Sequence, residues 1–430
     1  MKQTHELADS LGNRRFDLSI VGLGYVGLAL AQAACEIGWR VAGYEIDDAR
    51  VDLLLAGRSY IDDVSHDDVA RMRAAGFVAG DDPAYLRDSA VIVICVPTPV
   101  SGDRQPNLSS VVAAAETIAD QLTPGTLVVL ESTTFPGTTE EVLLPILERG
   151  GLRVGVDFHL AFAPERVDPG NKAFPMRSVA RVVGGVTPAC TAAAARFYGC
   201  LVDRVVSARG TREAEMSKLI ENTYRQVNIA LANELSTFSR ELGVDLWDAV
   251  ACASSKPYGF HAFFPGPGVG GHCIPVDPHY LTYKVRTIGS TFRMAELAHE
   301  INSQMPDYVV RRAAALLNRR KLAVNGSSIL LLGVSYKPDV SDLRGTPAYP
   351  IAEGLRKLGA DVQFHDANVD YWEVDGKEVQ PVTDLAAALV SHDLVILLQR
   401  HAEYTDALLS SCTTLFDSCG SARDQALEVL

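Results

Sequence analysis

Residues 21–28 read VGLGYVGL, a glycine-rich turn set between a strand and a helix. Leading into it, the chain runs strand-like from Asp17 through Leu18, Ser19 and Ile20 to Val21. After it, an Ala- and Leu-rich segment ends near Gly38, and Arg40 to Tyr44 restores a strand. Gly22, Gly24 and Gly27 thus stand as G-x-G-x-x-G between a strand and a helix, the context in which this pattern binds a dinucleotide. The first glycine makes the tight turn and the second lets the backbone approach a pyrophosphate. The third lets the helix pack closely on the sheet, with the phosphates resting at the helix start, Tyr25 and Val26. Glu45 follows 23 residues after Gly22, at the end of the second strand. An acidic side chain there accepts hydrogen bonds from the ribose hydroxyls and repels a 2′-phosphate, which favours NAD over NADP. Arg50, five residues on, is expected on the next helix.

Working outward, apolar runs at Val91 to Val96 and Leu127 to Leu130 are separated by helical pattern such as Ser109 to Gln121. That alternation predicts a parallel, doubly wound sheet. The texture changes near Thr211: Glu213 to Leu242 holds neither Gly nor Pro and carries Ala, Leu and Ile at helical spacing, which predicts one long helix. Helical pattern returns from Phe292 to Leu317, after a Gly/Pro/aromatic loop from Lys256 to Pro278, and no strand is expected in this middle region. From Gly326 the α/β texture resumes, with strands at Ser328–Val334, Asp361–His365 and Leu394–Leu398 and a helix at Pro347–Leu358. The expected fold is α/β: two Rossmann-like doubly wound parallel sheets joined by a central all-α domain with one long helix. The corresponding domains are residues 1–205, 206–320 and 321–430.

The bulk properties exclude several classes. With 430 residues the chain exceeds one ordinary hydrophobic core. A net charge of −14 leaves no dense basic face for nucleic acid or an anionic membrane, so an anionic ligand must be met locally. The apolar runs fall far short of the ~20 residues that cross a bilayer. The segment before Phe16 has no continuous apolar core and reads as a tail, not a secretory signal. Eight cysteines without a tight C-x-x-C pair read as reduced thiols, and a cytoplasmic location is expected. No cluster has metal-ligand spacing.

One cysteine stands apart. Residues 264–280 read FPGPGVGGHCIPVDPHY, an extended, backbone-exposing loop with Cys273 between Gly270, Gly271, His272 and Ile274. A thiol so placed is a poor core residue and a good nucleophile, provided a cation, a helix N-terminus or a base makes the thiolate near neutrality. Asp277-Pro278 resembles an N-cap followed by Pro at N1, so Asp277 is either a cap or a catalytic group. His272 is a second group placed to tune the thiol. Lys218 and Asn222 share one face of the long helix, either as working groups or as part of a solvated polar stripe with Glu215, Glu221 and Arg225. Loops after strands of the first sheet carry Pro97 and Thr98 (CVPTP) and Thr133 (ESTTFPG), where open α/β folds bind ligands. Residues 162–170, FAPERVDPG, add Glu165, Arg166 and Asp168. In the last domain, LGVSYKPDVSDLR (residues 332–344) has Gly333 but no second glycine fingerprint. Its Lys337 and Arg344 suit a diphosphate, the alternative being a salt bridge from Arg344 to Asp339 or Asp342.

Taken in order from Phe16 to about Tyr404, VGLGYVGL, CVPTP, ESTTFPGT, APERVDPG, the Lys218–Asn222 pair, GGHCIPVDP and SYKPDVSDLR resemble the UDP-glucose/GDP-mannose dehydrogenase family. The resemblance implies NAD in the first domain, a UDP-sugar in the last, dimerisation through the central helix, and oxidation of a sugar C6 hydroxyl to a carboxylate. It further implies Cys273 as nucleophile, Lys218, Asn222 and Asp277 around the reacting oxygen, Thr133 positioning water or substrate, and Glu165 aiding hydrolysis. Arg166, Gly270, Gly271, Lys337 and Arg344 are carried over as substrate-binding. The loop at Cys273 looks more like the branch acting on UDP-N-acetylhexosamines than the Tyr-Cys-Leu-Pro-Lys-Asp version of UDP-glucose enzymes. Pro275 and His279-Tyr280-Leu281 resemble the UDP-N-acetylglucosamine enzymes, with UDP-N-acetylmannosamine and UDP-glucose as alternatives. Gly345-Thr346-Pro347 departs from relatives, which usually carry a Ser before the Pro. Two other classes share parts of this pattern: a two-electron hydroxyacid-type dehydrogenase, which has no need of Cys273, and a non-catalytic NAD-binding protein.

Overall fold

The computed structural model describes residues 14–101, 105–166 and 173–430, so the N-terminal tail and Asp168 lie outside the described residues. The chain forms two compact units, one of Met1–Glu221 with His279–Ser290, the other of Asn222–Pro278 with Thr291–Leu430.

The first unit is built on an eight-stranded sheet in the order β3-β2-β1-β4-β5-β6-β7-β8. Its strands are β1 (Phe16–Val21), β2 (Val41–Tyr44), β3 (Val78–Gly80), β4 (Ser89–Ile94), β5 (Leu127–Leu130), β6 (His159–Phe162), β7 (Arg181–Gly185) and β8 (Val205–Ser207). β4 is buried along its whole length, as a central parallel strand covered on both faces must be. Its period of two divides the core: Val91 and Val93 join Leu18, Ile20 and Leu28 on one side, while Ile92 and Ile94 join Val21, Val128 and Leu130 on the other. One pair departs from the all-parallel expectation, since β6 and β7 run antiparallel. A parallel link needs a crossover of a dozen or more residues, usually a helix. Among the described residues between these strands there is a single short turn of 3₁₀-helix, Met176–Ser178.

The long helix spans Thr211–Ser239, 29 residues. From Thr211 to Arg319 every described element is a helix: this one, Leu246–Ser254, Asp277–Thr287 and Arg293–Arg319. No described helix is long and apolar enough to cross a membrane. In the second unit the strands β9 (Ser328–Leu332), β10 (Asp361–His365), β13 (Gln380–Pro381), β14 (Leu394–Leu397), β15 (Leu415–Asp417) and β16 (Glu428–Val429) form a fully parallel sheet, ordered β13-β10-β9-β14-β15-β16. A two-residue hairpin, β11 (Glu373–Val374) with β12 (Lys377–Glu378), lies outside that sheet. One face of the second sheet, with Ile329, Leu331 and Ile396, packs on the helix Ala348–Lys357 and on Val309, Ala313 and Leu316 of Arg293–Arg319; the other, with Leu330, Leu332 and Val395, packs on Ala388 and Leu389 of the helix Leu385–Ser391.

Buried amides tie the helices of this unit to the cysteine loop. Asn302 Nδ2 donates to the Gln226 carbonyl at 3.2 Å, Asn233 Nδ2 to Asn302 Oδ1 at 2.9 Å, and the Gly266 N–H to Asn233 Oδ1 at 2.9 Å. In that medium each such bond left unmade costs about 1–3 kcal/mol, which fixes the start of the loop.

Candidate active site

The dinucleotide turn has the geometry its glycines require. Gly22 sits at φ +89°, its N–H donates to Tyr44 O at 2.9 Å, and a Cβ on it would lie 2.9 Å from Cys95 O. A Cβ on Gly27 would meet Gly22 O at 2.0 Å, so only glycine lets the helix Tyr25–Glu36 pack this closely. At Gly24 a Cβ would meet nothing within 4 Å, and no side chain caps this helix. An open approach to an uncapped helix N-terminus is what a pyrophosphate needs, and these residues fit NAD.

Glu45 is buried, with Oε2 accepting from the Leu23 N–H at 2.9 Å and Oε1 from the N–H groups of Ile46 and Asp47 at 3.0 and 3.1 Å. A carboxylate offers about four acceptor sites, so the one that braces the turn retains capacity for a ribose hydroxyl. Arg50 is on the helix Asp48–Leu55, as expected, but its guanidinium turns back to Glu45 at 3.5 Å. Beyond β4, Pro97 is exposed and Thr98 is buried, its carbonyl accepting the Tyr280 hydroxyl at 2.7 Å. Ser132 Oγ donates to Val96 O at 2.8 Å and so joins that loop to the one carrying the half-buried Thr133.

The polar face of the long helix is not a solvated stripe. Glu215 is fully buried and accepts from Gly137 N–H at 2.5 Å, Thr139 N–H at 2.9 Å and Thr139 Oγ1 at 2.7 Å; burial pushes its carboxyl up to about 7. One turn later Lys218 Nζ donates to Glu165 O at 2.7 Å. Arg166 spans to Glu221, with N–O distances of 2.5 and 3.2 Å. The structure thus gathers Lys218, Glu165 and Arg166 within the first unit.

Within the second unit it gathers the thiol turn. Cys273 is exposed, and its carbonyl accepts the N–H groups of Val276 and Asp277 at 3.1 and 2.8 Å, winding the chain into the next helix. Asp277 is the first residue of that helix, and its buried carboxylate accepts Asn222 Nδ2. Asp277 thus stands at the start of the helix that follows the thiol turn, its backbone N–H bonded to the Cys273 carbonyl and its carboxylate to Asn222. Burial, with a smaller push from Arg344, takes His272 below its ordinary range, so it is a neutral imidazole near pH 7 and supplies no cation to the thiol.

Gly270 and Gly271 are held against the loop after β9. A Cβ on either would come within 3.0 Å of the Tyr336 side chain, and the Gly271 N–H donates to Arg344 O at 3.0 Å. Arg344 forms the ion pair weighed for it with Asp342, at 2.6 and 3.0 Å, whereas Asp339 accepts the Ala402 N–H. Lys337 is half-buried on the same loop. Among the described residues no His, Cys, Asp and Glu group is arranged to hold a metal ion.

Sequence reasoning missed Arg181, a buried cation at the head of β7, which pairs with Glu165 at 2.8 Å. It also missed the Asp366–His401 pair at 2.9 Å. For Arg181 the available signal was a charged residue opening an apolar strand, RVVGG. Asp366 at the end of β10 occupies the place that Glu45 has at the end of β2, and that correspondence was readable once the second strand was assigned.

The UDP-glucose/GDP-mannose dehydrogenase family matches in all three of its parts: the NAD-binding domain over residues 16–202, the central domain over 212–304 and the UDP-binding domain over 330–419. The chain is 34% identical over 393 residues to a UDP-N-acetyl-D-glucosamine 6-dehydrogenase of Pseudomonas aeruginosa, covering 90% of this chain and 91% of that one. It is 33% identical over 402 residues to a UDP-N-acetyl-D-mannosamine dehydrogenase of Salmonella typhimurium, covering 90% and 94%. A solved UDP-D-ManNAc dehydrogenase from Pyrococcus horikoshii superposes with a TM-score of 0.84 at 32% identity, over 93% of this chain and 94% of that one. With the glycine turn, the thiol loop and the second parallel sheet in place, the chain belongs to the UDP-glucose/GDP-mannose dehydrogenase family and is an NAD-dependent UDP-sugar dehydrogenase.

Proposed function

We propose that this enzyme oxidises the C6 hydroxyl of a UDP-N-acetylhexosamine, UDP-N-acetylglucosamine in the first place, to the uronic acid through a covalent adduct on Cys273. The observation that carries the mechanism is the exposed thiol on the turn leading into Asp277, with Asn222 hydrogen-bonded to that carboxylate. The N-acetylhexosamine is supported by the likeness to two dehydrogenases of that sugar class at near-equal identity. The choice of the glucosamine sugar rests on Pro275 and His279-Tyr280-Leu281.

NAD, when bound, takes up one hydride in each of two oxidations. A base, a water held by Asp277 and Lys218, removes the alcohol proton, and Cys273 captures the resulting aldehyde as a thiohemiacetal. Its oxidation leaves a thioester. Lys218 and Asn222 stabilise the oxyanions, each donor being worth roughly 3 kcal/mol in comparable sites. Thr133 orients water or substrate, and Glu165 takes a proton from the water that hydrolyses the thioester. Lys337 and Arg344 receive the diphosphate, with Arg166, Gly270 and Gly271 completing the substrate contacts. A homodimer through the long helix is supported by exposed Ile220, Tyr224, Leu231 and Phe238, spaced four, seven and seven residues apart along it. A cytoplasmic location fits eight cysteines that form no disulfide.

Purified enzyme given NAD with UDP-N-acetylglucosamine, UDP-N-acetylmannosamine or UDP-glucose is expected to yield two NADH per acid with the first, and none with Cys273→Ala. One NADH per turnover, or an active Cys273→Ala variant, would overturn the covalent mechanism. Preference for another sugar would overturn the substrate alone.

A further inference from the structure

The ends of β4, β5, β6 and β7 converge on a buried charge cluster in the first unit. Arg181, the first residue of β7, is 3% exposed. Its Nη2 lies 2.8 Å from Glu165 Oε2, its Nη1 donates to Pro164 O at 3.0 Å, and Nη1 stands 3.7 Å from Glu131 Oε1. Glu131 is buried deeper than Glu165, accepts the Tyr198 hydroxyl, and has Cys95 Sγ at 3.7 Å. The guanidinium also lies over the Tyr198 ring, 5.1 Å from its centroid.

One cation faces two carboxyls where water is scarce, and two ionised carboxylates around a single guanidinium would leave a buried net negative charge. The distances decide which carboxyl the cation serves: the close contact and the carbonyl of Pro164 both belong to the Glu165 loop. Burial raises the Glu131 carboxyl, the direction that relieves the imbalance.

We propose that Arg181 is a positioning residue, which through its contacts with the Glu165 carboxylate and the Pro164 carbonyl aims Glu165 at the water that cleaves the thioester. This rests on the reading of Glu165 given above. In the step concerned a water oxygen bonds to the thioester carbon while its proton passes to the Glu165 carboxylate. The carbon–sulfur bond then breaks, its electron pair returning to Cys273 as thiolate, and the uronic acid leaves; nothing is oxidised or reduced. Without Arg181 both hydride transfers still occur and the enzyme stops at the acyl stage.

The test compares Arg181→Gln, Arg181→Lys and Glu165→Gln by rapid quench, mass spectrometry of the Cys273 adduct, and pH profiles of kcat. Arg181→Gln is expected to lose roughly 10²-fold in kcat with KM falling in parallel, so that kcat/KM holds within about three-fold. It should release two NADH per site in a burst and accumulate the thioester. Its acidic limb should move to higher pH, because a carboxylate that has lost its cation ionises less readily. Arg181→Lys should recover part of kcat and part of the limb. A lower kcat with no thioester and an unmoved limb would make Arg181 merely structural and overturn the proposal. If Arg181→Gln does not fold, Arg181→Lys decides by the same two readouts. Failure of Glu165→Gln to accumulate thioester would instead overturn the reading of Glu165.

Discussion

The two sheets start alike and end differently. In the first, Gly22 follows β1 at φ +89°, donates its N–H to Tyr44 O at 2.9 Å, and packs where a Cβ would strike Cys95 O. In the second, Gly333 follows β9 at φ +72°, donates to His365 O at 2.9 Å, and packs where a Cβ would lie 2.1 Å from Gln399 O. Each turn is braced by an acid at the end of the neighbouring strand: Glu45 on Leu23 N–H, and Asp366 on the N–H groups of Val334 and Ser335 at 2.8 and 3.0 Å. After that the two diverge. Gly24 and Gly27 let a helix begin at Tyr25, whereas the second sheet reaches its helix only at Ala348, after a loop with Lys337 and Arg344. A shared turn thus presents bare backbone in one case and side-chain cations in the other, so the glycine spacing beyond the first position tells the two ligands apart.

The strongest way to break this comparison is to substitute the shared glycines. Gly22→Ala and Gly333→Ala each combine a disfavoured φ with a backbone clash, and each should cost about 3 kcal/mol in denaturant unfolding. The readout that separates them is ligand binding by calorimetry. Gly22→Ala should weaken NAD by at least ten-fold and spare UDP, and Gly333→Ala should do the reverse. If both variants lost the same ligand, the assignment of one ligand to each sheet would be wrong.

How much of this was legible follows from the range of the forces involved. The first turn could be read because its constraint is local: three glycines, a strand and a helix lie within a short stretch of chain. Leu127–Leu130 was placed to the residue because its apolar run is bounded by turn residues, and Asp361–His365 because Val362 and Phe364 alternate with polar residues just after Gly359. The antiparallel β6–β7 pair was not legible, since direction depends on the connection, not on either strand. Glu215 looked like surface because its neighbours Glu221 and Arg225 are polar. Its burial follows from the loop of Gly137 and Thr139, more than 70 residues away in sequence. Arg181 escaped for the same reason, its partners Glu131 and Glu165 lying just past the ends of β5 and β6.

The units should also differ in their response to pH. Glu215 holds its proton in the folded state up to about 7 through burial, while an unfolded glutamate releases it near 4.3. The folded state binds the extra proton, so this contribution is full below about pH 4.3, declines as pH rises, and is gone above about 7. Its span is roughly 4 kcal/mol at most. Asp366 has the opposite sign: burial alone would raise its carboxyl, but the hydrogen bond from His401 and the backbone amides outweigh it and lower it. Its contribution is present above the ordinary carboxylate range near 3.9 and is lost as pH falls below that. Glu215→Gln should flatten the decline between pH 5 and 7, leaving the share of Glu131, while Asp366→Asn should flatten the loss below pH 4. Stability measured across pH 3 to 8 checks both, and identical profiles for the two variants would sink the contrast.

The smallest effect on folding, and the most discriminating for the second turn, belongs to Arg344. Its ion pair with Asp342 is half-exposed on the arginine side, and exposed pairs are worth roughly 0.2–1 kcal/mol. Arg344→Ala should therefore leave stability within 1 kcal/mol of the parent. If the guanidinium leaves Asp342 for a diphosphate when the substrate binds, the same variant should weaken UDP about ten-fold and lower the salt dependence of its affinity, with NAD unaffected. Asp342→Asn sharpens the point, because it frees the guanidinium in the unliganded enzyme. Under this reading it tightens UDP, and under the reading of a purely structural pair it does not.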